Sequence, residues 1–263
     1  MFIADQFEPW LDALDASSSR LGVAVAELSE EALLRSSFTP HRRIADVLAQ
    51  LGAAGEISAK LLTYAAFGGD AAPDLEYRHL VHERWAAMKP IQRRDAWLEA
   101  DSRHRTLLAS LSETQRETVR VPQFNDVVTL PVYAGYLLSE QSVRAWDVEV
   151  SLNPAATIPR TEVDLLWQRI DRVVTWSYDL TTLSRLAPCQ MSIELTGAER
   201  PMALVVDLEL HIYPCEAYKP VGTISGSSED VLRLIYGRNR AADGVRVTGR
   251  HALADLRALF PGA

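Results

Sequence analysis

Apolar positions recur at helical spacing through the first half of the chain. Phe7, Trp10, Leu11 and Leu14 fall on one face of a helix predicted over residues 4–16. Leu21, Val25, Leu28 and Leu33 mark a second helical stretch around residues 20–35. Thr39-Pro40 then reads as an N-cap followed by the first helical residue, where proline's missing N–H costs nothing. The helix it opens carries Ile44, Val47, Leu48, Leu51, Ile57 and Leu61, and stops at Gly68-Gly69. Residues 69–90 read as a loop-rich connection with Pro73 and Pro90. A third long helix is predicted over about 91–111, and a fourth from Leu130-Pro131 to about Leu152. Long amphipathic helices joined antiparallel make an up-and-down bundle.

The pattern changes after Asn153-Pro154 and Ile158-Pro159, so the domain boundary belongs there, between residues 155 and 160. Thr161 to Leu186 predicts one more helix. Strands follow where the period drops to two: Met191–Leu195, Met202–Tyr213, Thr223–Ser225 and Val245–Thr248. Ser227 or Ser228 caps a short helix closed by Gly237, and Ala252 to Phe260 forms the last one. The expected fold is a helical bundle over residues 1–155 and a small α+β domain over 160–263. A cleft between them is the default ligand site.

Composition narrows the function classes. The chain has 263 residues, 48% of them hydrophobic, with a net charge of -8. That acidity disfavours nucleic acid as a partner. His41-Arg42-Arg43, the densest basic run, reads as a solvated helix end. No apolar run reaches the ~20 residues that span a bilayer, and the acidic start does not suit a signal peptide. A cytoplasmic protein, monomeric or weakly dimeric and acting on a small molecule, is the expectation. Cys189 and Cys215 are isolated and read as inert thiols. His79, His82 and Glu83 read as solvated loop residues, and His104 as a helix-surface residue.

Three segments carry a resemblance: TPHRRIADVLAQLGAAGE, LLSEQSVRAWDVEVSL and SSEDVLRLIYGR with the later VRVTGRHAL. In this order they resemble the mycothiol-dependent maleylpyruvate isomerases, actinobacterial proteins that join a DinB-like four-helix bundle to a sterol-carrier-like domain. The resemblance covers nearly the whole chain, and Trp146-Asp147 and Gly237-Arg238 are its sharpest short matches. It implies a divalent metal in the bundle, held by a histidine on the second long helix and by a glutamate and a histidine four apart on the fourth.

This chain departs from that pattern. The first histidine position is Gln50, the glutamate survives as Glu140, and the second histidine position is Arg144. A guanidinium stays protonated and has no lone pair to give a metal. No metal is therefore expected. Arg144 would pair with Glu140 one turn away and relieve a buried carboxylate, with Gln50 bonding from across the bundle. The resemblance also implies that Arg238 holds a substrate carboxylate, and that mycothiol or a related thiol is the cofactor. Tyr133, Tyr136, Trp146 and Asp147 are the expected substrate-binding residues.

Three readings stay open: a metal-free thiol transferase or isomerase of specialised, natural-product metabolism; a non-catalytic binder with a degenerate site; and an isomerase that keeps its metal through Glu140 and another histidine.

Overall fold

The structure is a computed structural model, and it describes residues 6–69, 71–123, 126–197 and 200–262. The chain divides into two compact units, Met1–Ile158 and Pro159–Ala263.

The first unit is the expected bundle. Its first helix, α1 (Glu8–Val25), is continuous across the break predicted between residues 16 and 20. It begins at a proline near its N-terminus, and residues 4 and 5 of the expected helix lie outside the described residues. The separate helix expected over 20–35 reduces to α2 (Glu30–Leu33), where the Ser29 side chain accepts from Ala32 N.

The next helix, α3 (Ile44–Phe67), starts four residues later than Thr39-Pro40 suggested. Arg43 is its N-cap, and the Asp46 carboxylate closes the first turn by accepting from Arg43 N at 2.8 Å. The Thr39 hydroxyl is taken elsewhere, donating to Asp147 Oδ2 at 2.8 Å.

Residues 75–87, expected as loop, form α4 (Leu75–Ala87), capped by the Asp74 side chain on Tyr77 N. Then come α5 (Pro90–Ala109), α6 (Glu113–Thr118) and a hairpin of β1 (Arg120–Gln123) with β2 (Asp126–Thr129). The last helix of the unit, α7 (Leu130–Leu152), has the predicted bounds.

Packing closes α1, α3, α5 and α7 into a ring: α1 lies on α7 and α5, and α3 lies on α5 and α7. Its core includes Leu21, Ile44, Leu48, Trp97 and Val148, all nearly inaccessible. Short helix α4 docks on α3 through Trp85, whose ring needs the bare backbone of Gly52; a Cβ there would lie 2.1 Å from Trp85 Cη2.

In the second unit, the single helix predicted over 161–186 is three: α8 (Arg160–Gln168), α9 (Ile170–Val174) and α10 (Leu180–Leu186). The first is amphipathic, burying Val163, Leu165 and Leu166, and Asp179 caps the third by accepting from Thr182 N. The sheet has β3 (Cys189–Leu195), β4 (Met202–Val206), β5 (Leu210–Tyr213) and β6 (Gly222–Gly226). The long strand expected over 202–213 is split between β4 and β5 by a turn at Asp207–Glu209. Leu208 points outward there, 89% exposed.

Helix α11 (Ser228–Ile235) follows, with Ser227 as N-cap, then β7 (Arg246–Gly249) and α12 (Leu253–Leu259). The strand order is β5-β4-β3-β6-β7. Among the described residues only the β3–β6 pair is parallel, with Ile193 opposite Ile224. Among the described residues no helix is long and apolar enough to cross a membrane.

Candidate functional site

Helix α7 carries Glu140 and Arg144 one turn apart, and α3 presents Gln50 to them from the neighbouring side of the ring. Arg144 Nε donates to Glu140 Oε2 at 2.7 Å, and Arg144 Nη1 donates to Gln50 Oε1 at 3.1 Å. The structure therefore brings together all three positions singled out by sequence. Among the described residues the third guanidinium nitrogen, Nη2, has no hydrogen-bond partner. The arginine is mostly buried, at 13% exposure, but Glu140 is 59% exposed. That corrects the expectation of a buried carboxylate rescued by Arg144. Glu140 is solvated, and the pair fixes the guanidinium more than it stabilises the fold.

Gln50 also opens on a cavity of about 500 Å³ between the loop before α3 and helices α3, α4 and α5. Arg42, His41, Asp46, His82 and Arg93 are among its lining residues. The backbone shapes this wall: His41 sits in the left-handed region at φ 62, an uncommon place for a side-chain-bearing residue. Arg93 is already committed, donating from Nε to Met88 O at 2.9 Å and from Nη1 to Asp46 Oδ1 at 2.5 Å. The Arg42 guanidinium has no partner among the described residues. Its basic run read as a solvated helix end, yet the late start of α3 leaves Arg42 in the loop and turns it to the cavity.

Glu140 opens on a second cavity, of about 220 Å³, which reaches into the bundle and is also lined by Tyr136, His82 and Arg78. His82 thus borders both cavities. It was expected on a loop, but α4 places it; its neighbour His79 instead pairs with Glu83 on the exposed side at 3.2 Å. Neither histidine joins a metal cluster. Among the described residues no three His, Cys, Asp or Glu side chains are grouped to hold an ion.

The remaining expected site residues serve other contacts. Trp146 and Asp147 are inaccessible to solvent. Trp146 Nε1 donates to Ala156 O at 3.0 Å and its ring packs edge-on against Phe38, 4.8 Å between centroids. Asp147 holds the loop before α3, its carboxylate accepting from Thr39 Oγ1 and its carbonyl from Phe38 N at 3.0 Å. Both therefore position the loop that carries His41 and Arg42, and neither borders the two cavities. Tyr133 is buried, its hydroxyl donating to Ser58 O at 3.0 Å, and burial holds its proton on well above the usual phenol range. Of the expected aromatic residues only Tyr136 lines either of these two cavities.

In the second unit Arg238 is 6% exposed and Nη1 donates to Tyr236 O at 2.7 Å. It caps its own helix end. Gly237 turns the chain at φ 71, its N–H bonding Leu234 O at 3.0 Å, and Arg238 N bonds Arg233 O at 2.6 Å. Cys189 is buried, which pushes its thiol up, and Cys215 is exposed.

No protein-family model matches the chain, and no curated protein matches it by sequence. Its fold, however, matches the crystal structure of the mycothiol-dependent maleylpyruvate isomerase. The TM-score is 0.69 at 15% identity, covering 94% of this chain and 95% of that one. A structure of a histidine-to-alanine mutant of that isomerase matches at a TM-score of 0.67 and 16% identity, with the same coverage. The chain therefore has the bundle-plus-α+β fold of these isomerases.

Proposed function

We propose that this protein is a metal-independent relative of the mycothiol-dependent isomerases. It would act on a small molecule as a thiol transferase, thiol-exchange enzyme or isomerase, in specialised metabolism. One observation carries the reading: a guanidinium hydrogen-bonded to Gln50 and Glu140, with Nη2 left over among the described residues.

The donor set at these positions does not fit a divalent metal. A three-ligand site needs three lone pairs converging on one point. Here one carboxylate and one amide oxygen already accept from the third residue, which has no lone pair itself. No step is derived through a metal. Positive charge at the site comes instead from Arg144, and from Arg42 in the cavity beside Gln50. A guanidinium favours the anionic form of whatever lies against it. A thiol held at Nη2 would lose its proton near neutral pH and become the nucleophile. A planar carboxylate would be oriented by the same charge.

The likeness to the isomerase structures supports the thiol part of this reading. The second reading, a binder without catalysis, is favoured by the Glu140 contact. The carboxylate best placed to act as a base already accepts from Arg144.

The test is reactivity. Mycothiol is incubated with the full chain in excess chelator, and its alkylation by monobromobimane is followed across pH. Acceleration over free mycothiol near pH 7, lost in Arg144→Met, is expected. Binding without acceleration would favour the binder, and acceleration that survives Arg144→Met would remove the guanidinium from the account.

A further inference from the structure

The larger cavity, beside Gln50, is cationic in a chain of net charge -8. At about 500 Å³ it has the size of a small-molecule site, which runs from ~300 to ~1,000 Å³. Among the described residues Asp46 is the one acidic side chain that lines it. Both of its oxygens are taken: Oδ1 accepts from Arg93 Nη1 at 2.5 Å and Oδ2 from Arg43 N at 2.8 Å. Arg93 is spent on that pair and on the carbonyls of Ala86 and Met88, to which it donates at 2.6 and 2.9 Å. Its charge and that of Asp46 cancel, and the Arg42 charge is left over. The Arg42 guanidinium bonds nothing among the described residues, and neither do the His41 and His82 rings.

Gln50 adds a donor whose orientation is set. Arg144 can only donate, and its Nη1 holds Gln50 Oε1 at 3.1 Å. The amide oxygen therefore faces Arg144, and Nε2 keeps its N–H groups for another partner. The loop before α3 is fixed as well. It is tied to Asp147 through Thr39 and Phe38, and Arg42 lies in its turn, with Arg42 N on Thr39 O at 3.2 Å and Ser37 N on Arg42 O at 2.9 Å. Donors thus come to the cavity from three elements: His41 and Arg42 from the loop, Gln50 from α3 and His82 from α4. A carboxylate offers one charge and two oxygens in a single plane. A phosphoryl group carries close to two negative charges near neutral pH and three acceptor oxygens that point apart, which suits donors arriving from several sides.

We propose that this cavity binds the phosphoryl group of a small phosphorylated molecule, and that Arg42 is the residue that selects it. The Arg42 fork takes two phosphoryl oxygens, Gln50 Nε2 donates to the third, and His41 and His82 add ring N–H donors. Ala49, Trp85 and Ala86 supply the apolar wall for the rest of the ligand. This gives the reacting molecule a class and rests on the thiol reading for the reaction, whereas the binding is measured with no thiol present.

The probe is phenyl phosphate, titrated into the full chain at fixed ionic strength and followed by NMR, with benzoate and inorganic phosphate in parallel. Phenyl phosphate is expected to move the His41 and His82 ring signals and the Gln50 side-chain amide, and to bind more tightly than either of the other two. Its dissociation constant should rise at least about tenfold in Arg42→Met and stay unchanged in Arg103→Met, which removes an exposed arginine elsewhere on α5. Three results would overturn the proposal: no movement of these three side chains, equal affinity in wild type and Arg42→Met, or benzoate or inorganic phosphate binding as tightly as phenyl phosphate. The wild-type titrations decide the matter even if a variant does not fold. Mycothiol alkylation, measured separately on the wild type, keeps the two readings apart. Phenyl phosphate binding without accelerated alkylation would remove the thiol reading and leave this site, and accelerated alkylation without phenyl phosphate binding would do the reverse.

Discussion

His104 shows how one side chain sets a pH response. Burial alone lowers its pKa to about 4, whereas an unfolded imidazole titrates near 6.5. As pH falls the unfolded chain therefore takes up the proton first. Stability at this residue is complete above about pH 6.5 and is lost progressively between 6.5 and 4, by roughly 3 kcal/mol in all. The cavity that His104 lines is also lined by Arg78, His82, Asp101, Arg105 and Glu140. Urea titrations of the full chain from pH 4 to 8 are expected to show that slope, and His104→Leu is expected to flatten it. An unchanged slope would mean that other groups carry the acid sensitivity. The sequence held a usable signal here: Trp97, Ala100, His104 and Leu108 are spaced by three and four, one face of α5, and all four are buried. The many charges around them masked it. Arg144, Glu140 and Gln50 were legible for the opposite reason, since a motif pinned their positions. Arg42 was not, because its role depends on where α3 begins.

At the scale of elements, helices were readable where the buried stripe was dense. The bounds of α7 follow from Leu130-Pro131 and Asn153-Pro154, and fifteen of its residues are buried. By contrast α4 buries only Val81 and Trp85, and leaves Leu75 85% and Leu80 56% exposed. Its apolar residues gave no single face, so it read as loop. The hairpin of β1 and β2 is too short to show alternation. The contact that docks α4 is nonetheless specific, and it involves a residue that propensity alone would replace. In a helix interior, Gly52→Ala should gain about 1 kcal/mol from backbone propensity. Here the new Cβ would lie 2.1 Å from Trp85 Cη2, and overpacking of this kind costs about 1–3 kcal/mol or more. Net destabilisation of about 1–2 kcal/mol by chemical denaturation is expected, with a shift in Trp85 fluorescence. A stabilised variant would show that α4 can move aside at no cost.

For the whole molecule, the fold is shared with the isomerase structures over 94% of the chain at 15% identity. A fold tolerates that much change if apolar periodicity and caps persist, while chemistry rests on a few side chains. Here Glu140 and Gln50 hold the Arg144 guanidinium while Trp146 and Asp147 hold the loop before α3, so the proposed change of chemistry rests on side chains whose contacts leave the packing of the bundle intact. The acidic chain, at net charge -8, makes such a cationic spot stand out to an anionic ligand. The decisive measurement is calorimetry of mycothiol with the full chain, in excess chelator and again with one equivalent of zinc. Binding in chelator, unchanged by zinc and weakened at least about tenfold by Arg144→Met, is the expected result. Binding that appears only with zinc, or that Arg144→Met leaves intact, would contradict a guanidinium standing in the metal's place.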